Sequence, residues 1–373
     1  MGFFDQFLRD MRQVVFRNSE QNAIPSMDGA LSPNDKLDQC TPIGDPLPGL
    51  DDVIATPDGA VYASAGRRVY RLSGAGFSER AVVAEFDGDA GALALHPDGR
   101  LLVCVAGRGL AAVAQGGSAP RYLAAAGGRP LVGLTGVAAA SDGVIYMTEG
   151  SVGRGSDAWM RDLMEKKKSG RILRCDSALE SAIVLRDGLA WPNGLMVEAG
   201  GDAILYTEAW THSVLRAQRQ GAGIGASQPL ARNLVGYPAR IHPAGGSDLY
   251  LAFFGVRTHL IEFVLREDDF RDDMMRTVKP EYWLGPALSS QHDCLEPMQI
   301  GSIKALGIQK PWAPPRSYGL LVRMNAEGEI VESLHSRADG AYHGITAACS
   351  TPQGLVIASK GAGRLLLRGE ERQ

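Results

Sequence analysis

Residues 185–216, LRDGLAWPNGLMVEAGGDAILYTEAWTHSVLR, alternate short apolar runs with turn residues. Two runs, LMV at 195–197 and ILY at 204–206, flank the glycine-rich turn AGGD, and a third, VL at 214–215, follows polar residues. Gly and Asp accept the backbone angles of tight turns, so this spacing predicts short antiparallel strands joined by hairpins. The stretch has the content of one small meandering sheet.

The same pattern recurs along the chain and predicts the fold. Asp–Gly turns begin at Asp58, Asp98 and Asp142, 40 and 44 residues apart, and Gly201 and Asp248 continue the series. A period of roughly 40–50 residues made of short strands is typical of a β-propeller, whose sheets pack on their neighbours around a central channel. We count six units and predict an all-β, six-bladed β-propeller over residues 49–373, as one domain.

Residues 1–48 precede the repeats and differ from them. Apolar residues of 1–16 share one face at helical spacing, which predicts an N-terminal amphipathic helix, and residues 18–48 are polar and proline-rich, like a strap leading into the first blade. Early acidic residues argue against a signal peptide, and no apolar run reaches the ~18 residues of a membrane span. We expect the helix to dock on the propeller or on a second copy of the chain; contact with a membrane surface is the alternative.

Two insertions interrupt the repeat. Residues 153–170 carry apolar residues at helical offsets and a lysine run. Residues 256–318 are longer, with two apparent short helices at 257–264 and 268–275 and a segment rich in proline and aromatic residues at 280–315. Long insertions in a compact repeat are usually lids or binding loops. We predict two partly helical lids over one mouth of the channel.

Composition narrows the class of partner. The net charge is -4, which gives no electrostatic reason to bind nucleic acid, and a small-molecule substrate is expected instead. The five cysteines show no CxxC or metal-ligand spacing. Cys104 and Cys349 lie in apolar runs, as buried free thiols do, and this cysteine usage favours the cytoplasm.

Four segments together resemble a known family. GLAWPNGLMVEAGGDAILYTEAWTHSVLR at 188–216 resembles a block of the strictosidine synthase-like proteins, within the superfamily of senescence marker protein/regucalcin, gluconolactonase and paraoxonase. SGRILRCD at 169–176, LVGYPARI at 234–241 and YGLLVRMNAEGEIV at 318–331 extend the similarity over most of the chain. The resemblance implies a propeller but not one reaction, because this scaffold carries lactonases, esterase-like hydrolases, a Pictet–Spengler condensing enzyme and proteins without an assigned reaction.

The start of each innermost strand should face the mouth of the channel, where a ligand would sit. In chain order these positions are Asp51, Gly91, Thr135, Asn193, Ala239 and His343. The resemblance implies a calcium site in which Asp51 and Asn193 match two ligands, whereas Thr135 replaces an Asn and Ala239 replaces an Asp. Because Ca²⁺ takes six to eight oxygen ligands, we expect at most a weakly bound calcium and no other cofactor.

The resemblance also implies a role for His343, because HGIT at 343–346 is similar to a paraoxonase segment in which a His assists the attack of water on a lactone. A His suits general-base catalysis since its unperturbed pKa is near 6.5; the alternative is a structural His bonded at a strand start. Further candidate substrate contacts are Asn193, Thr135, Tyr237, Trp191, Glu208, Glu149 and His242. We expect Glu149 and Glu208 to cap neighbouring turns and His242 to be packed in the fold. Trp191 and Tyr237 would form an apolar wall of the mouth.

These residues predict a hydrolase of a small cyclic or ester-like substrate such as a lactone. His343 would activate water, Asp51 and Asn193 would orient it or hold a weak cation, and the insertions would close over the mouth. Two alternatives stay open: a condensing enzyme, which needs a carboxylate near His343, and a propeller that only binds a metabolite or a protein. The sequence has no GxSxG elbow, P-loop or GxGxxG after a strand, which sets aside α/β hydrolases, kinases and dinucleotide enzymes.

Overall fold

The chain forms a closed ring of six antiparallel sheets, blades 1 to 6 in chain order. The computed structural model describes residues 24–114, 119–290, 292, 295–297, 304–305, 308–309 and 315–369. The first strand of each blade contacts the first strand of the next, and that of blade 6 contacts that of blade 1. This arrangement confirms the predicted six-bladed β-propeller, while the helix predicted for residues 1–16 lies outside the described residues.

The strands are short, as the spacing of the apolar runs predicts. From the axis outward, blade 1 consists of Leu50–Ala55, Val61–Ala65, Arg68–Ser73 and Glu79–Glu85, blade 2 of Ala90–Leu95, Leu101–Val105, Gly109–Val113 and Arg121–Leu123, and blade 3 of Leu134–Ala139, Ile145–Glu149, Gly170–Cys175 and Ala182–Leu189. Blade 4 consists of Pro192–Val197, Ala203–Glu208, Ser213–Gln220 and Gln228–Ala231, blade 5 of Gly236–Gly245, Asp248–Val256, Gly319–Met324 and Ile330–Ser336, and blade 6 of Ile345–Thr351, Gly354–Ser359, Arg364–Arg368 and Thr41–Ile43. Short extra strands are Gly223–Ile224 beside blade 4 and the pairs Ala125–Ala126 with Arg129–Pro130 and Lys304–Ala305 with Ile308–Gln309.

The Asp–Gly turns that define the period have one geometry. Gly59, Gly99 and Gly143 have φ of 81°, 89° and 82°, in the left-handed region that a Cβ disfavours. Each glycine donates its N–H to the residue three positions earlier, at 3.0, 2.9 and 2.9 Å to the carbonyls of Thr56, His96 and Ala140. The repeat in the sequence is therefore a repeat of one hairpin between the first two strands of a blade.

The core lies between neighbouring blades. Side chains alternate across a strand, so an inner strand buries residues on both faces only when a blade stands on each side. Between blades 3 and 4, for example, Tyr146 and Ile172 pack with Leu195 and Tyr206, all nearly or fully buried. Each blade thus depends on its neighbours for the burial of its apolar surface.

The segment before blade 1 closes the ring. Thr41–Ile43 pairs antiparallel with Arg364–Arg368 and forms the outermost strand of blade 6, with Ile43 opposite Leu365. Upstream, the same segment crosses blade 5, where the Asn34 side chain donates to the Ser333 carbonyl at 3.1 Å and accepts from the His335 N–H at 3.1 Å. The segment predicted as a strap therefore also supplies a strand of blade 6. The sequence did not reveal this strand, because it is only three residues long.

Both insertions contain short helices and pack on each other. The first holds α1, Trp159–Met164, after the 3-10 turn Ser156–Ala158; the second holds α2, His259–Arg266, α3, Asp268–Thr277, and the 3-10 turn Pro280–Tyr282. Other 3-10 turns are Gly29–Leu31 and Ala75–Phe77. Met164 packs with Val264, Met274 and Trp283, so one apolar cluster joins the two insertions.

Cys40, Cys104, Cys175 and Cys349 are buried free thiols, as expected for Cys104 and Cys349. Cys294 lies outside the described residues. Burial in apolar surroundings raises the pKa of the Cys40 thiol to about 11, so it stays protonated at neutral pH. In the part of the chain that the structure describes, no helix combines the length and apolarity required to cross a bilayer.

Ring closure by the strap can be tested with Ile43→Ala. Ile43 is 4% exposed, and its truncation should lower the free energy of unfolding by about 2–4 kcal/mol, as for other buried aliphatic residues. Val82→Ala is the matched control because Val82, on the outer strand of blade 1, is 50% exposed and should change stability by no more than about 0.5 kcal/mol. Urea unfolding of both variants measures the difference, and equal midpoints would contradict closure by this strand.

Candidate functional site

The sequence-predicted positions lie at one mouth of the channel. Asp51, Gly91, Thr135 and Asn193 are each the second residue of the first strand of blades 1 to 4. Ala239 lies within the first strand of blade 5, and His343 precedes the first strand of blade 6 by two residues. The start of every inner strand therefore brings one of these residues to the same end of the propeller.

Asp51 is bound by two cationic side chains of the chain itself. Arg240 of blade 5 donates from Nη1 to the Asp51 carbonyl at 2.9 Å and from Nη2 to the carboxylate oxygen Oδ2. Lys360, after the second strand of blade 6, reaches the other oxygen, with Nζ 2.6 Å from Oδ1. Burial by itself would raise the pKa of Asp51, but the Arg240 guanidinium and the Lys360 ammonium hold it well below its usual value. Asp51 is therefore a permanently ionised, fully engaged carboxylate.

Asp52, fully buried beside it, extends this group across the channel. Its carboxylate accepts the N–H of Leu93 in blade 2 and the N–H of Val53, each at 2.8 Å. Arg240 Nε lies 3.3 Å from Oδ2, and His242 Nε2 lies 3.5 Å from Oδ1. We call Asp51, Asp52, Arg240, His242 and Lys360 the axial charge cluster. Through it, side-chain contacts join blades 1, 2, 5 and 6.

The residues at this mouth do not fit a calcium ion. Both oxygens of the Asp51 carboxylate face cations, Ala239 offers no side-chain ligand, and Thr135 Oγ1 donates to the Pro192 carbonyl at 2.6 Å. Asn193 is half-buried, and one amide cannot supply the six to eight oxygens that calcium takes. The described residues contain no cluster of three or more His, Cys, Asp or Glu placed to hold a metal. The weak calcium site expected on Asp51 and Asn193 therefore lacks its ligands.

His343 does not meet Asp51; it faces the second insertion instead. Its Nδ1 lies 2.7 Å from Ser317 Oγ, and its Nε2 lies 2.7 Å from the Arg337 carbonyl oxygen. Ser317 Oγ in turn lies 2.7 Å from Ser290 Oγ. A hydrogen-bonded chain thus connects the buried imidazole to Ser290, which is half-buried. In the described residues, no side-chain hydrogen bond or ion pair joins His343 to Asp51 or Asn193.

Donor and acceptor chemistry fixes the direction of this chain. The Arg337 carbonyl can only accept, so Nε2 carries a proton, and in neutral imidazole Nδ1 then holds the lone pair. Ser317 must therefore donate to Nδ1, which leaves its oxygen to accept the hydroxyl proton of Ser290. Burial lowers the pKa of His343, so the imidazole is neutral at pH 7. Every proton in the chain points from Ser290 towards a basic nitrogen.

A cavity of about 410 Å³ lies beside this chain, within the second insertion. It is lined by Glu281, Tyr282, Ser289, His292, Glu296 and Arg316. Ser289 and Arg316 line the cavity, and Ser290 and Ser317 follow them directly in the chain. No pattern in the sequence singled out these two serines, because they are 27 residues apart and belong to no motif.

The predicted aromatic wall is a packed cluster. Trp191 stacks on Trp210 with ring centroids 5.4 Å apart, and Tyr237 stacks on Phe254 at 5.7 Å. Trp210 Nε1 donates to Asp162 Oδ1 in α1 at 2.8 Å. Trp191 and Tyr237 are almost fully buried, so they shape the mouth as packing and not as an open surface.

The two glutamates have structural partners. Glu208 accepts the Ala190 N–H at 3.1 Å, as expected for a cap of a neighbouring turn. Glu149 is fully buried and accepts from Arg171 Nε at 2.8 Å. His242 belongs to the axial charge cluster. None of these three residues contacts His343 in the described part of the chain.

Known proteins resemble this chain in sequence. The model of the family described as Strictosidine synthase matches residues 136–221. Protein STRICTOSIDINE SYNTHASE-LIKE 10 of Arabidopsis thaliana is 27% identical over 36% of this chain and 35% of its own length. The adipocyte plasma membrane-associated protein of Danio rerio is 24% identical over 74% of this chain and 73% of its own. These matches confirm the predicted resemblance, and the chain spans about a third of the plant relative.

Solved structures resemble its fold. A gluconolactonase from Xanthomonas campestris superposes with a TM-score of 0.58 at 12% identity, over 88% of this chain and 89% of its own. Regucalcin from Agrobacterium tumefaciens, a calcium-binding protein, superposes with a TM-score of 0.55 at 10% identity, over 89% of this chain and 95% of its own. At such identities the likeness establishes a shared propeller and no shared chemistry.

The charge of Asp162 beneath Trp210 gives a pH-dependent prediction. Burial raises the pKa of Asp162, so its folded form holds a proton to higher pH than the unfolded chain, and the ionised carboxylate weakens the fold as the pH rises above about 4. Asp162→Asn keeps an acceptor for Trp210 without the charge. It should therefore match the parent protein at acidic pH and be more stable at pH 7, as measured by chemical unfolding.

Asp142→Asn is the control of opposite sign. Hydrogen bonding from Arg219 lowers the pKa of Asp142, so its contribution to stability is present above the unfolded pKa and is lost as the pH falls. Asp142→Asn should be less stable than the parent at pH 7 and equal to it in acid. A loss of stability at pH 7 in Asp162→Asn, as expected for Asp142→Asn, would contradict the assignment of Asp162.

Proposed function

We propose that this protein hydrolyses a small lactone or ester at the rim of the propeller, with His343 as the general base. The observation that carries the proposal is the chain from Ser290 through Ser317 to His343, each link 2.7 Å long. This chain supports the general-base role that the resemblance implies for His343. The base would act through the hydroxyls of Ser317 and Ser290, beside the second insertion and not at the axis of the propeller. The gluconolactonase with a similar propeller is named for a lactone substrate, which supports this substrate class.

The chain can remove a proton from an attacking water. A water bound at Ser290 would give its proton to Ser290 Oγ as its oxygen bonds to the substrate carbonyl carbon; Ser290 passes its own proton to Ser317, and Ser317 passes its proton to His343 Nδ1. The Arg337 carbonyl accepts from Nε2 throughout and is well placed to stabilise the imidazolium that forms. When the tetrahedral intermediate collapses, the leaving alkoxide takes one proton back along the same path.

The cavity beside Ser290 supplies room for the substrate. Its volume of about 410 Å³ is within the range of small-molecule sites. Tyr282 and His292 line the cavity and could hydrogen-bond to an oxygen-rich substrate, whereas Arg316 is engaged by Glu296 and the Glu281 carbonyl. Asp51 has no role in this reaction, because Arg240 and Lys360 occupy its carboxylate.

The family match favours a second candidate, a condensing enzyme that joins an amine to an aldehyde. Burial lowers the pKa of His343, and the negative charges of Asp38 and Asp339 act in the opposite direction. Asp38 is already engaged, because it accepts from Ser336 Oγ and from the Ala341 N–H at 2.8 Å each. We therefore rank hydrolysis first.

A screen of lactones and aryl esters tests the hydrolase. Ser317→Ala breaks the chain but leaves His343 in place, so on any substrate that the parent protein turns over it should lower kcat by roughly 10²–10⁴-fold, as should His343→Ala. Ser169→Ala is the control, since Ser169 pairs with Ser151 at 2.9 Å in a Ser–Ser contact without a His, and its rate should stay within about twofold of the parent. If the parent protein turns over no substrate faster than both Ser317→Ala and His343→Ala do, this function is rejected.

The pH profile gives a separate prediction. Burial lowers the pKa of His343, so the neutral base persists to more acidic pH than an exposed His would allow. The acid limb of kcat/KM should therefore lie below pH 6.5, the ordinary value for His. An acid limb above pH 6.5, with circular dichroism showing an intact fold, would count against His343 as the base.

A further inference from the structure

We propose that Arg240 and Lys360 form a built-in cation site that takes the place of a metal ion at the axis of this propeller. The two side chains neutralise Asp51 and Asp52 and tie blades 1, 2, 5 and 6 together across the channel. The propeller is then stable without metal, and removal of the two cations should create a site for a divalent cation of the calcium class. This inference does not depend on the reaction proposed above.

The first support is position. Ala239 stands where the resemblance implies an acidic ligand from blade 5, and the next residue, Arg240, extends back to the acidic residue of blade 1. Blade 6 separates blades 1 and 5 in the ring, so this contact spans the channel and not a blade interface. Arg240, which is 189 positions from Asp51 in the sequence, thus places its positive charge where a metal ion would bind the same carboxylate.

The second support is saturation of the carboxylates. Asp51 Oδ2 faces Arg240, its Oδ1 faces Lys360, and its backbone carbonyl accepts from Arg240 Nη1. Each of these oxygens is one that a metal would otherwise coordinate. A Cβ at Gly91 would lie 3.4 Å from Asp51 Oδ2, so the neighbouring blade also closes in on this side.

The third support is charge balance. Asp51 and Asp52 bring two negative charges, and Arg240 and Lys360 bring two positive charges, with His242 beside Asp52. Arg240 is 8% exposed and Asp52 is fully buried. Charges this deep are strongly destabilising when unpaired, because the protein does not solvate them as water does. The cluster is stable as a unit, and loss of the cations leaves two carboxylates that need a replacement.

The test is thermal unfolding of the full chain with and without calcium. The parent protein should show the same Tm in CaCl2 and in EDTA. The double variant Arg240→Ala/Lys360→Ala should unfold at lower temperature in EDTA and should regain about 3 °C at a calcium concentration roughly 100 times its Kd. Isothermal titration should show calcium binding by the double variant only.

Arg171→Ala is the matched control. It also removes a guanidinium from a buried carboxylate, Glu149, but at a site with one carboxylate, on the second and third strands of blade 3. It should lose stability, and calcium should not restore it. Recovery of the double variant alone supports the built-in cation; a calcium response of the parent, or equal recovery of Arg171→Ala, overturns it.

If the double variant does not fold, a variant that removes a negative charge together with its cation tests the proposal. Arg240→Ala/Asp51→Asn eliminates the negative charge together with its partner, and it should be more stable than Arg240→Ala alone, with no response to calcium. Folding or a higher Tm in this variant supports the compensation of Asp51 by Arg240. Failure of both calcium and Asp51→Asn to restore the fold overturns the proposal.

Discussion

Every blade of this protein buries its apolar faces only if the ring is closed. An inner strand presents side chains on both faces, and each face is covered by the neighbouring blade, as Tyr146 and Ile172 are by Leu195 and Tyr206. An open ring would leave one face of blade 1 and one of blade 6 in water. Thr41–Ile43 prevents this, because it adds the last strand to blade 6 just before the chain enters blade 1. Two strands distant in sequence thus hold the first and last blades together.

Closing the ring brings polar residues of several blades to the axis, where the charges of buried side chains such as Asp52 and Arg240 must be balanced. Metal ions are one solution, since a divalent cation attracts several carboxylates at once. Here the balance lies within the chain, in Arg240 and Lys360. A guanidinium suits this role because it is always charged and offers several donors in one plane, so one side chain reaches Asp51 and Asp52 together.

The sequence predicted what local chemistry determines. Asp–Gly turns need positive φ at the glycine, so the hairpins at Gly59, Gly99 and Gly143, the period and the blade count followed from residue type and spacing. It did not predict contacts made by long side chains across the ring. Arg240 has several rotatable bonds, and only the folded propeller shows that it turns towards Asp51; the one signal was the loss of an acidic ligand at Ala239. The strap strand was missed because three residues give no alternation to recognise.

His343 faces away from the axial charge cluster, so the proposed base and the charges that join the blades lie in different parts of the mouth. A base on the axis would stand beside the positive charges of Arg240 and Lys360, which would disfavour its protonation during catalysis. His343 turns instead towards Ser317 and the Arg337 carbonyl, where Asp38 and Asp339 favour the protonated form. The insertion that carries Ser290 and the cavity can then vary in shape without disturbing the charges that hold the blades. In this propeller the paired charges at the axis join the blades, and His343 faces the second insertion instead.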